Sequence, residues 1–183
     1  MSAFNTITIL TVAFLVVFLQ SSADWLRAWI GVQPDLLPSL MVYAGLSSGL
    51  PTLMALALAG GLLADSLSAN PPGVTILPLF LTGLAIERYR SLILRDQLYA
   101  QLVLGLAASA GVPLLTLLLL LNTEPKPLLS WFSLWQWGIM ATLGASVTPL
   151  WFSLFDRLNT ALNYRRVEDA TFRPDREIKR GRA

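Results

Sequence analysis

Between Asp35 and Glu87 the chain carries a single charged residue, Asp65. An uninterrupted stretch of that length is hard to reconcile with a fold surrounded by water. Soluble domains carry about 25% charged residues, spread over their surfaces; this chain of 183 residues has 13%, gathered in a few places. In a bilayer the same pattern is expected. There every backbone N–H and C=O must be satisfied within the segment, so apolar runs become helices. With 55% hydrophobic residues and a mean hydropathy of +0.62, the expected class is an all-α integral membrane protein.

Crossing a hydrocarbon core of about 30 Å takes roughly 20 apolar residues in a helix. Ala3–Leu19, Leu98–Leu121 and Trp131–Phe155 meet that requirement. The middle stretch is divided by punctuation. Ser47-Ser48-Gly49 with Pro51 breaks it once, and Ser68-Ala69-Asn70-Pro71-Pro72-Gly73 breaks it again. Six transmembrane helices follow, at about 3–20, 36–47, 51–67, 74–87, 98–121 and 131–155, forming one bundle over residues 1–155. The alternative is five spans with the segment from Leu36 re-entrant. Pro38 and Pro78 fall near the starts of the short spans, where proline is best tolerated. No Lys or Arg precedes the first apolar run, so it is expected to be a retained span, not a cleaved leader, despite Ser21-Ser22-Ala23.

Charge orients the bundle. Arg88, Arg90 and Arg95 follow the fourth span, and eight further basic residues follow the sixth. Placing both groups in the cytoplasm puts 11 of the 13 Lys and Arg inside, leaving Arg27 and Lys126 outside. Both termini are then cytoplasmic. Trp25, Trp29, Trp131 and Trp135, together with Trp137, fall at the outer ends of spans, where indole rings anchor at the headgroup level. The tail, 156–183, starts as a helix with Leu154, Leu158 and Leu162 in register. Its eight basic residues face five acids. That modest excess favours a topology signal with a flexible end over a dedicated lipid-binding segment.

Chemistry is scarce. The absence of cysteine and histidine removes disulfides, thiolate and imidazole catalysis and the usual zinc sites. Gly45-Leu46-Ser47-Ser48-Gly49 has the spacing of a nucleophile elbow, but with no histidine it reads as a turn between helices. No catalytic, cofactor-binding or metal-ligating residue stands out, and a net charge of +2 makes no case for nucleic acid. The third span carries small residues, Ala55, Ala59, Gly60 and Ala64, with Ala57 and Gly61. Small side chains let helices approach closely in lipid, so this span is expected to be the most buried. Gly105, Ala108 and Ser109 repeat the theme on the fifth. Asp65 is an acid within or at the end of a span, which is costly enough to invite a functional role. Its place before Ser66, Ser68, Asn70 and two prolines favours a turn-former that satisfies loose backbone groups.

The segment Gly61-Leu62-Leu63-Ala64-Asp65-Ser66-Leu67-Ser68-Ala69-Asn70-Pro71-Pro72-Gly73 resembles the signature of the MreD family, rod shape-determining membrane proteins of bacteria. Pro34-Asp35-Leu36-Leu37 at the start of the second span, the near-uncharged centre, the closing apolar hairpin and the short basic tail are similar as well. The resemblance covers roughly residues 30 to 155. It implies a fold similar to the six-helix substrate-binding subunits of vitamin transporters and a place in the bacterial cytoplasmic (inner) membrane. It also implies no catalysis and a scaffold or adaptor role in the cell-elongation peptidoglycan machinery, with the bitopic protein MreC as partner alongside RodA, its transpeptidase and MreB. Asp65, Ser68, Pro71, Pro72 and Gly73 are then the candidate partner-interaction turn. The alternative is a substrate-capture subunit of a small-molecule transporter, with Asp65, Asn70, Gln136 and Thr142 as its pocket.

Overall fold

A computed structural model describes residues 3–22, 31–32, 34–68, 70–93, 97–121 and 131–163. Trp25, Trp29 and the tail beyond Asn163 lie outside the described residues. The described residues are mostly helical, with no strand among them. They form α1 (Ala3–Ser22), α2 (Leu37–Ser47), α3 (Leu50–Ser66), α4 (Ile76–Tyr89), α5 (Leu98–Leu120) and α6 (Trp131–Asn163), with one 3-10 turn at Arg90–Leu92. The chain divides into two compact units, Met1–Phe152 and Ser153–Ala183; the second is described only as helix, to Asn163.

Helices α1, α5 and α6 are long and apolar enough to cross a membrane, while α2 and α3 are apolar but shorter. At about 1.5 Å per residue, α2 reaches only about 16 Å. Proline and extended glycine set its junction with α3. Pro38 and Pro51 occupy the first turns of α2 and α3, and Gly49 precedes α3 in an extended conformation. The backbone N–H groups of Thr52 and Leu53 both donate to the Gly49 carbonyl. At the same junction Arg90 Nη1 donates to the Ser48 carbonyl at 3.3 Å, placing a cation on the negative end of α2.

The centre of the first unit is α2, not α3. Every residue from Leu37 to Leu46 is buried. The contrast with the expectation for α3 has a geometric cause: α2 packs against α1, α3, α4 and α5, whereas α3 turns one side away from the chain. Along α3, Leu53, Leu56, Ala57, Gly60 and Gly61 are buried, but Met54, Leu58, Ala59 and Leu62 are exposed. Ala55 and Ala64 are half-buried. A short helix enclosed in this way is relieved of matching the bilayer thickness, because neighbouring helices screen its ends.

Two helix pairs close on glycines. On α2 and α4, a Cβ added at Gly45 would lie 2.9 Å from Ile86 Cγ2, and one at Gly83 would lie 2.7 Å from Met41 Sδ. Each helix thus presents a knob to the other's glycine. The pair α5 and α6 repeats the device: Thr148 sits against Gly105 and Ser109 against Gly144. Where lipid removes the hydrophobic drive between helices, such close approach is the main source of association. Polar ties join further helix pairs, and α5 to α6 again. Trp151 Nε1 donates to Ser39 Oγ at 2.9 Å, Trp137 Nε1 donates to the Ala110 carbonyl at 2.9 Å, and the hydroxyls of Thr6 and Thr52 meet at 2.8 Å. Tyr43 and Phe152 stack edge to face.

Candidate functional site

Asp65 ends α3 almost fully enclosed, with 2% of its surface exposed, and the turn into α4 folds around it. Its Oδ2 accepts the backbone N–H of Gly73 at 2.8 Å and of Thr75 at 3.1 Å, while the Thr75 hydroxyl donates to Oδ1. Thr75 immediately precedes α4. The first N–H groups of a helix have no intrahelical acceptor, and the helix dipole makes that end positive. An acid from α3 therefore caps α4, ten residues along the chain. Gly73 has φ +94°, a left-handed conformation that side chains resist. Beside it, a Cβ on Gly61 would press on the Ile76 backbone, so the two helices converge here at close range.

The rest of the candidate turn is superficial. Ser68 Oγ donates to the Asp65 carbonyl and accepts from Asn70 N–H, each at 3.3 Å. Pro71 and Pro72 are exposed, with the Pro71 carbonyl accepting from Val74 N–H. Only Asp65, Gly73 and the unanticipated Thr75 form the inner knot.

Two recesses flank this turn. An apolar groove of about 300 Å³ runs between α3 and α4, lined by Met54, Ala57, Leu58, Gly73, Ile76, Leu77 and Phe80. On the other side lies a polar cleft of about 220 Å³, with Gln20, Asp35, Ser68, Asn70, Thr75 and Gln136 among its lining. Asp35 holds the start of α2 by accepting the Leu37 N–H at 3.1 Å, and Gln20 ties α1 to it by donating to the Pro34 carbonyl at 2.8 Å. Burial pushes the Asp35 carboxyl up to about 6; the hydrogen bond from Leu37 opposes this and the charge of Asp65 adds to it.

No family model, curated protein or solved structure matches the chain. Of the residues proposed for a capture pocket, Asn70 and Gln136 line the cleft. Asp65 is turned to Gly73 and Thr75, and Thr142 is exposed with its hydroxyl on its own helix. Asp35 and Gln20 were not singled out in the sequence. Asp35 looked like a helix-start residue, which it is, and nothing local reveals that the start of α2 borders a cleft. Among the tryptophans, Trp131 and Trp135 are 85% and 64% exposed, a position suited to headgroup anchoring. No group of three His, Cys, Asp or Glu able to hold a metal occurs among the described residues.

Proposed function

We propose that the chain is an MreD-like adaptor of the bacterial inner membrane. It crosses the bilayer six times with both termini in the cytoplasm, and it binds the transmembrane helix of an MreC-like bitopic partner. Through that partner it would help regulate the peptidoglycan synthase of the elongation machinery, RodA and its transpeptidase, together with MreB. The observation that carries the reading is the groove between α3 and α4. It is apolar, begins at Gly73 in the segment that bears the resemblance, and is floored by small Ala57. Its rims, Met54, Leu58 and Leu77, are exposed. A helix can lie close to backbone at such a place, and contact in lipid rewards closeness over apolarity.

The partner contact is tested by replacing Leu58 and Leu77 with Trp, which fills the groove while remaining apolar. Co-purification of an MreC-like partner is expected to fall several-fold at unchanged expression. Full recovery of the partner would remove the groove from the account. The reading as a substrate-capture subunit is favoured by one observation, the polar cleft with Asn70 and Gln136 on its wall.

A further inference from the structure

We propose that the polar cleft bordered by α1, the start of α2, the α3–α4 turn and α6 binds a small organic cation, a primary ammonium on a short apolar stem. This inference concerns the cleft alone and stands whichever protein partners the chain has.

The cleft gathers side chains from four separate parts of the chain. Gln20 comes from α1, Asp35 from the start of α2, Asn70 from the turn and Gln136 from α6. No Lys or Arg is among the described residues that line it. The hydrogen-bonding capacity is unbalanced toward acceptors. One N–H of the Gln20 amide donates to the Pro34 carbonyl, leaving the other N–H and the oxygen, and the Asp35 carboxyl receives one described donor, Leu37 N–H. The carboxamides of Asn70 and Gln136 have no hydrogen-bond partner among the described residues; each can accept as well as donate. Val17, Pro34, Leu67 and Met140 supply an apolar wall.

A half-buried carboxyl beside a second acid, with no Lys or Arg among the described residues lining its cleft, is an unfavourable arrangement for folding alone, and such arrangements concentrate at binding sites. A donor-rich cation corrects it. An ammonium carries three donors and no acceptor, which matches the acceptor excess. The stem would lie along the apolar wall, and a polar far end would meet the carboxamides. An anion would face Asp35 without compensation, and a neutral polyol would leave the charge unpaired. The titratable groups identified near the site are Asp35 itself and Asp65, whose carboxyl is occupied by Gly73 and Thr75.

Three four-carbon probes that differ at one end test the inference on the full chain in lipid nanodiscs. They are 4-amino-1-butanol (cation), 1,4-butanediol (neutral) and 4-hydroxybutyrate (anion). At about neutral pH the amine is expected to bind saturably, about tenfold or more tighter than the diol, with no binding of the anion. Asp35→Asn should abolish the preference for amine over diol. Lowering the pH of the unaltered protein from about 7 to about 5 should weaken amine binding, because Asp35 gains its proton across that range. Gln136→Ala, on a different helix, should weaken the amine several-fold without unfolding the chain. Absence of saturable amine binding overturns the proposal, as does equal binding of the diol. So does a preference that survives Asp35→Asn. If Asp35→Asn fails to fold, pH-independent binding or an unaffected Gln136→Ala variant overturns it equally.

Discussion

Asp65 and Asp35 illustrate two opposite solutions to placing an acid near apolar helices. Asp65 is satisfied: two backbone N–H groups and a hydroxyl donate to it. Removing it strands those donors, and a buried unsatisfied group costs about 1–3 kcal/mol. Asp65→Ala is therefore expected to destabilise the chain by about 2–5 kcal/mol and Thr75→Val by about 1 kcal/mol, as read by thermal unfolding in detergent. A wild-type melting curve for Asp65→Ala would show that the knot contributes nothing. Asp35 is the reverse case, since burial raises its carboxyl from 3.8 to about 6. The folded state then holds the proton more tightly than the unfolded state does. Stability is highest below pH 3.8 with respect to this group and declines as pH rises through about 6. The loss is at most about 3 kcal/mol. Asp35→Asn keeps an acceptor for Leu37 and is expected to raise the melting temperature at pH 7, with the two proteins converging near pH 4. A variant less stable at pH 7 would contradict the burial argument. The knot was partly legible in sequence: an acid before Ser, Asn and two prolines implied a turn-former. Thr75 was not, because its hydroxyl becomes relevant only once Gly73 has reversed the chain.

Among the helices, the apolar runs predicted the elements well and the packing poorly. Helix α5 at Leu98–Leu120 follows directly from an uncharged run of the required length, and proline with glycine marks the α2–α3 break. Burial does not follow in the same way, because nearly every residue is apolar and no polar stripe separates inside from outside. The small residues of α3 show the limit. Gly60 and Gly61 are buried against Leu37 and Ile76, while Ala59 faces away from the chain. The knob-on-glycine pairs need two helices at once and are invisible in either alone. They also make a sharp prediction. Gly144→Ala places a methyl group onto Ser109 and should lower stability by about 1–3 kcal/mol through overpacking. Adding Ser109→Gly should recover part of that loss in a double-mutant comparison. Additive losses from the two substitutions would show that these residues do not meet.

For the molecule as a whole, the turn at Asp65–Gly73 acts as a hub. It caps α4, sets the angle at which α3 and α4 diverge, and separates an apolar groove from a polar cleft. In the adaptor account these two recesses have different roles, one receiving a partner helix and the other a small cation. The groove is the central claim, and photo-crosslinking in the native membrane addresses it most directly. A photoreactive residue would replace Leu58 or Leu77 at the groove rims, or the exposed Leu106 on α5 as a control. The account predicts a crosslink to a single-span MreC-like partner from positions 58 and 77 and none from position 106. Crosslinking from 106 alone, or none from either groove position, would contradict it.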